Sequence, residues 1–245
     1  QMQMWCYAGL PTTAGQTDAG ACPTQELIDA YEVVDAGMTT AQPLLNLATP
    51  YADADHLTPN INTAATALYN PADPYANRDP RLKASIYYNG SKLHLERNTL
   101  LSTKPGGNCE LNTNNARYTC TGYYTRKFAH YKSGRSGNLD GYFKVFRLAE
   151  LYLNYAEAAN EAASTTTAPN EAVDAVNTVR ARVGMPAIPY GLSKDEFRLR
   201  LRNERRVELA FEEHRFFDVR RWKILDKTDK TVTGMRANTD GTRAL

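Results

Sequence analysis

Three glutamates, Glu204, Glu208 and Glu212, stand four residues apart. On a helix that spacing stacks their carboxylates along one face. Such a stack could hold a cation or supply the acid and base of a glycosidic hydrolysis. Arg200, Arg205, Arg206 and Arg215 lie close by in sequence. Guanidinium groups at that range pair with carboxylates and keep them ionised, so a salt-bridge lattice is the expected arrangement. A general acid needs a raised pKa instead, which argues against a catalytic Glu204–Glu208 pair.

His214 and Asp218 are also four apart, with Glu213 adjacent. They could grip a metal from one helix face, but no third ligand is identifiable. Asp53-Ala54-Asp55-His56 lacks the glycine and the distant glutamate of an EF-hand and reads as a solvated loop. The four histidines, His56, His94, His130 and His214, have no recognisable catalytic neighbours. There is no GxSxG, phosphate loop, dinucleotide fingerprint or HExxH. The chain is expected not to be an enzyme, and no metal or cofactor is implied.

Ligand-binding chemistry is better represented. Tryptophan offers the broadest face for stacking on a sugar ring, and the chain has two. Trp222 follows Phe216 and Phe217 at helical spacing and is expected in the core. Trp5 sits in a Gly/Pro-containing loop beside Cys6 and Tyr7. Held by a disulfide, such a loop would present its rings at little entropic cost. Trp5 and Tyr7 are therefore candidates for glycan stacking, with Gln3 as a hydrogen-bonding neighbour; the alternative is that Trp5 packs against a preceding segment. The 15 tyrosines would suit sugars or peptides, although most are expected at the core margin.

The four cysteines form two close pairs, Cys6 with Cys22 and Cys109 with Cys120. Each pair brackets a polar loop with no core of its own, so of three connectivities the local one is expected. Each disulfide would be worth ~3 kcal/mol in the loop-entropy account. Such pairing implies an oxidising compartment. A Cys-rich metal site is disfavoured, since no CxxC spacing occurs.

These residues need elements to position them. The chain has 245 residues, 42% hydrophobic, enough for one large domain or two small ones. A net charge of +2, from 29 basic and 27 acidic residues, argues against a nucleic-acid partner. No apolar run approaches the ~20 residues a membrane helix needs, and no signal peptide opens the chain. The start and end both read as interior sequence, so a fragment of a longer protein is expected.

Residues 1–23 read as loop. The pattern from Thr24 through Leu27, Ile28, Tyr31 and Val34 predicts a helix stopping at Gly37. Residues 38–80 are Pro-, Asn- and Thr-rich and should be irregular. Arg81–Tyr88 and Ser91–Glu96 flank Asn89-Gly90, which predicts two strands joined by a type I′ hairpin. Residues 121–128 should be extended, and Gly/Ser-rich 129–141 exposed. Three amphipathic helices follow. The first packs through Leu148, Leu151, Tyr152, Tyr155 and Ala159. The second uses Ala172, Val173, Val176 and Val179 and stops at Gly184. The third opens with the capping box Ser193-Lys194-Asp195-Glu196 and runs to Phe211.

Several phrases carry a resemblance: PTQELIDAYEVVDAG at 23–37, YANRDPRLKASIYYNG at 75–90, TGYYTRKF at 121–128, RLAELYLNYAEAANE at 147–161, AVNTVRARVGMP at 175–186 and ERRVELAFEEHRFFDVRRW at 204–222. In order and spacing they resemble the C-terminal half of the SusD/RagB-like outer-membrane nutrient-binding lipoproteins. The resemblance implies a mainly α fold, an α-α superhelix of tetratricopeptide-like pairs with long loops and a small β-hairpin. It implies a single domain over 1–245 that lacks the N-terminal half and the extreme C-terminal tail. It further implies non-catalytic binding of glycans, or in some members peptides, for a SusC-like TonB-dependent transporter. The location implied is the outer-membrane surface of Bacteroidetes-type bacteria, through a lipid anchor absent from this stretch. No binding residue transfers by motif, so Trp5, Tyr7 and Gln3 rest on local chemistry.

Overall fold

Helices carry most of the regular structure. In the computed structural model, residues 21–94, 97–116, 118–128, 144–229, 231–240 and 242–245 are described. The helices are α1 (Gln25–Ala30), α2 (Pro80–Ser85), α3 (Leu148–Ala162), α4 (Asn170–Ala181), α5 (Lys194–Glu208), α6 (His214–Arg221) and α7 (Leu225–Thr228). The strands are two to four residues long: β1 (Val33–Val34), β2 (Ala41–Gln42), β3 (Ile86–Tyr87), β4 (Lys92–His94), β5 (Arg97–Leu100), β6 (Tyr124–Thr125), β7 (Arg236–Ala237) and β8 (Arg243–Ala244). The fold is mainly α, as expected. No helix among the described residues is long and apolar enough to cross a membrane.

The chain divides into two units. One takes residues 29–82 and 144–231, the other 1–28, 83–143 and 232–245. In the first, α3, α4 and α5 share a core of Leu153, Ala156, Val173, Val176, Val179, Ile188, Phe197 and Leu201. Helix α5 starts where the capping box places it: Ser193 Oγ accepts from the Glu196 amide, and Glu196 accepts from the Ser193 amide at 3.0 Å. Helix α4 closes on Gly184, whose φ of +74° suits only glycine cheaply, and the Met185 amide donates to the Arg180 carbonyl.

Three features of this unit differ from expectation. Helix α3 buries Leu153, Ala156 and Asn160, while Leu148, Leu151 and Tyr155 face outward. Tyr152 and Ala159 pack against the core as expected, but the apolar residues run nearly all round, so periodicity alone could not separate them from the outward three. The third helix breaks after Glu208, because Phe211 and Glu213 both take φ of +64°, and α6 restarts at His214. Finally, the helix begun at Gln25 ends at Ala30. Val33 and Val34 pair instead with Gln42 and Ala41. Asp35 holds the intervening turn, accepting from the amides of Gly37, Thr39 and Thr40. β-Branched valines and an Asp-anchored turn outweigh the helical spacing.

Residues 38–80 are largely irregular, yet they enclose a small core of Val33, Leu44, Leu45 and Ala65. Arg78 is buried beside it, and its guanidinium donates to the carbonyls of Tyr31 and Pro74.

The second unit holds the short sheets. The expected hairpin across Asn89-Gly90 does not form as such. Pro80–Ser85 is helical: the Asp79 carboxylate caps it, accepting from the Arg81 amide at 2.9 Å, and Pro80 occupies the first helical position. β3 then pairs antiparallel with β6, and β4 with β5. The Ser91 amide donates to the Tyr88 carbonyl with Gly90 at φ +93°, the pattern of a type II turn rather than I′. The extended segment expected over 121–128 contains β6. Gly122 and Gly234 let two backbones touch: a Cβ on Gly122 would meet the Met235 carbonyl oxygen at 2.1 Å, and one on Gly234 the Thr121 carbonyl oxygen at 2.5 Å. Residues 129–143 and 1–20, for which loops were expected, lie outside the described residues.

Candidate ligand-binding cleft and the ion lattice beside it

The glutamates of α5 are paired, but not by their sequence neighbours. Glu204 and Glu208 are each 3% exposed. Arg81, at the start of α2, reaches Glu204 at 2.5 Å and Glu208 at 2.9 Å. Arg180 of α4 bridges Glu204 at 2.9 Å and Glu32 at 2.7 Å. Arg147, just before α3, spans Glu208 at 2.5 Å and Glu212 at 2.6 Å. Arg182 adds a contact to Glu208 at 2.8 Å, and Arg81 also holds Asp79. The nearby arginines serve other acids: Arg200 pairs with Glu32, Arg205 with Asp218 and Arg215 with Asp229.

Burial disfavours the Glu204 carboxylate, but Arg81 and Arg180 outweigh it and hold the pKa below the usual range. Glu208 is likewise opposed by burial and held low by Arg147 and Arg81. Neither carboxyl can keep a proton for donation near neutral pH, so the pair is not an acid–base couple.

The His214–Asp218 grip is filled by a cation from the chain itself. Arg205 Nε donates to Asp218 at 2.7 Å, and its Nη2 lies 3.4 Å from His214 Nδ1. His214 Nε2 faces Glu150 at 3.5 Å. Among the described residues, no three metal-ligating side chains converge. In the 53–56 loop, Asp53 accepts from the amides of Asp55, Leu57 and Thr58, folding the turn on itself. His56, at φ +58°, is buried and stacks on Tyr51 at 4.3 Å between centroids, so this end of the loop is not solvated.

Between α3 and α6 opens a cleft of about 470 Å³. Glu150, Asn154 and Glu157 of α3 face Asp218 and Arg221 of α6 across it, with Arg205 on its floor. Arg205 Nη1 donates to Asn154 Oδ1 at 2.6 Å. Glu157 accepts from Arg221 and, at 2.8 Å, from the Trp222 indole. Burial raises the pKa of Glu157, and the hydrogen bonds from Arg221 and Trp222 more than reverse it. Phe217, 66% exposed, lies at the rim. Fixed donors and acceptors beside an exposed ring are the elements of polyol recognition.

The aromatic positions need correcting. Trp222 is half-buried rather than core, with the Arg202 and Arg221 guanidiniums 4.8 and 5.1 Å from its ring centroid. Phe216 and Phe217 are exposed, because the break after Glu208 rotates α6 out of the register that α5 would have continued. The core tyrosines are more numerous than the sequence suggested: Tyr31, Tyr75, Tyr87, Tyr123 and Tyr124 are all buried.

Trp5, Tyr7, Gln3 and Cys6 lie outside the described residues. Cys22, Cys109 and Cys120 all carry thiols in the structure. Cys109 is fully buried, while Cys120 is exposed and its thiol lies within interaction range of that of Cys22.

Comparison with known proteins places these features. The SusD family profile matches residues 2–243. A SusD-like protein of Formosa agariphila is 40% identical over 84 residues, 33% of this chain and 15% of that protein. A solved SusD-like protein from Bacteroides fragilis superposes with a TM-score of 0.68 at 31% identity, over 91% of this chain and 40% of the other. A second from the same organism, described as a SusD-like carbohydrate-binding protein, gives 0.59 at 26% identity over 82% and 35%. The chain thus spans less than half the length of the relatives it matches.

Proposed function

The chain belongs to the SusD family, and from that premise we propose that it binds glycans at the bacterial surface without cleaving them. In this reading it is part of an outer-membrane lipoprotein that passes its ligand to a SusC-like TonB-dependent transporter. The observation that carries the proposal is the likeness, over 82% of the chain, to a solved relative described as carbohydrate binding. The pairing of Glu204 and Glu208 with arginines supports binding over hydrolysis.

Stacking is assigned to Trp5 and Tyr7, with Gln3 donating to sugar hydroxyls. Titration calorimetry of the folded chain against starch-type and other polysaccharides and oligosaccharides tests both the ligand class and the site. Trp5→Ala should weaken the binding that is found by about tenfold or more, since loss of a stacked ring costs roughly 1–3 kcal/mol. Loss on Phe217→Ala instead would move the site to the α3–α6 cleft. A blank glycan panel alongside binding of a peptide library would turn the reading to a peptide-binding member of the family.

A second reading rests on the exposed helical stripe Leu148, Leu151 and Tyr155, continued by Val145 and Phe146. An apolar stripe of that spacing seats the apolar face of another helix. This face would then be an interaction platform, and Leu151→Glu should abolish association while leaving glycan affinity unchanged.

A further inference from the structure

Cys22 and Cys120 are 98 positions apart, yet two segments of one unit run past each other there. On one side of Cys22, the Ala21 carbonyl accepts from Thr125 Oγ1 at 2.7 Å. On the other, the Pro23 carbonyl accepts from Thr121 Oγ1 at 2.6 Å. Thr121 directly follows Cys120, and its amide is held by Thr119 Oγ1 at 3.1 Å. These bonds hold residues 21–23 against 121–125, on both sides of Cys22 and immediately after Cys120. Beside the Thr121 bond the thiols of Cys22 and Cys120 come within interaction range of each other. Cys109 is buried below, its thiol pushed up to about 12 by burial.

We propose that Cys22 and Cys120 form a disulfide in the mature protein. A neighbouring thiol pair on backbones already fixed needs only small side-chain rotations to reach bonding geometry. Exposure of Cys120 gives an external oxidant access. The reaction is thiol–disulfide exchange with an oxidant carrying a disulfide, such as a thiol oxidoreductase or a low-molecular-weight disulfide. The Cys120 thiolate attacks one oxidant sulfur and expels the other as a thiolate, giving a mixed disulfide. The Cys22 thiolate then attacks the Cys120 sulfur and expels the second. Two cysteine thiols are oxidised, their two protons pass to the two oxidant thiolates, and one disulfide is reduced.

The bond would tie the segment preceding α1 to the segment leading into β6, closing a loop of about 100 residues. It would place Cys6 free to meet a partner other than Cys22. The inference concerns the chain itself and does not depend on the glycan reading.

The test uses the full chain oxidised with glutathione disulfide. Trypsin cuts between Cys109 and Cys120 at Arg117, and a protease cutting before Asp18 separates Cys6 from Cys22. Mass spectrometry should then find a cross-linked peptide pair containing Cys22 and Cys120. A Cys6→Ser/Cys109→Ser double variant, left with only these two cysteines, should lose both alkylatable thiols on oxidation as a monomer. Its Tm should rise by roughly 10–20 °C over the reduced form, as a loop of this length requires. Two thiols still alkylated in that variant, or a Cys6–Cys22 or Cys109–Cys120 cross-link in the parent chain, overturns the proposal.

Discussion

Arg180 and Glu32 are 148 residues apart in sequence and 2.7 Å apart in space. The Arg180 side chain is 1% exposed, and its other Nη holds Glu204. One guanidinium thus joins the segment before β1 to two helices of the same unit. Without it Glu204 would keep Arg81, and Glu32 would keep the longer contact with Arg200 at 3.3 Å.

Arg180→Ala should therefore cost about 3–5 kcal/mol, the range for breaking one side of a buried ion pair. Urea denaturation would report it as a lower midpoint at unchanged slope. A loss under ~1 kcal/mol would mean the network is replaceable by water.

Acid should unfold the protein through the same lattice. Glu204 and Glu208 have folded-state pKa values below their unfolded ones. A depressed carboxyl contributes stability that is fully present above the unfolded value, about 4.3, and is lost as pH falls through the folded value. Stability should be flat from pH 7 to ~5.5 with respect to these groups and fall steeply below pH ~4. In Glu204→Gln, the acid-side slope should be shallower by up to one proton, measured by thermal melts across pH.

Gly122→Ala tests the backbone contact with Met235. Gly122 holds φ +82°, and a Cβ would lie 2.1 Å from a carbonyl oxygen. The expected cost is about 2 kcal/mol or more, from the strained φ and the forced separation. Gly90→Ala is the control: it shares a positive φ but meets nothing within 4 Å, so it should cost less.

Ser193→Ala removes one half of the capping box and should cost about 1 kcal/mol. Ser193→Asp should restore most of it, because the carboxylate accepts the same Glu196 amide. Calorimetric Tm values for the pair decide it.

The sequence made some of this legible and hid the rest for physical reasons. Helices α3, α4 and α5 were readable because their apolar spacing, Gly184 and the Ser193 box are local signals. Asp79-Pro80 was also a local signal, a helix start overlooked beside the β-like residues that follow. A helix end at Phe211 was expected, but the left-handed turns at Phe211 and Glu213 that re-aim α6 left no such trace, being set by packing. Those hidden turns put Phe216 and Phe217 on the surface and Trp222 at a cation-lined margin. The ionic lattice was legible as pairing but not as partners, since Arg81 lies 123 residues from Glu204. Local spacing carries no information about which distant guanidinium arrives.

The order in which the ribosome delivers this chain gains meaning from the Thr121–Met235 contact. The unit containing Gly122 draws on residues 1–28, 83–143 and 232–245, and its companion supplies the stretches between. Neither unit can finish early: the one waits for β7 and β8, about 90 residues beyond its middle stretch, and the other waits for α6 and α7. Contacts of such long sequence separation close late and slowly. While this stretch is being made, the nascent chain must therefore carry apolar faces unsatisfied. Such a stretch relies on holding factors more than one whose domains are made in series.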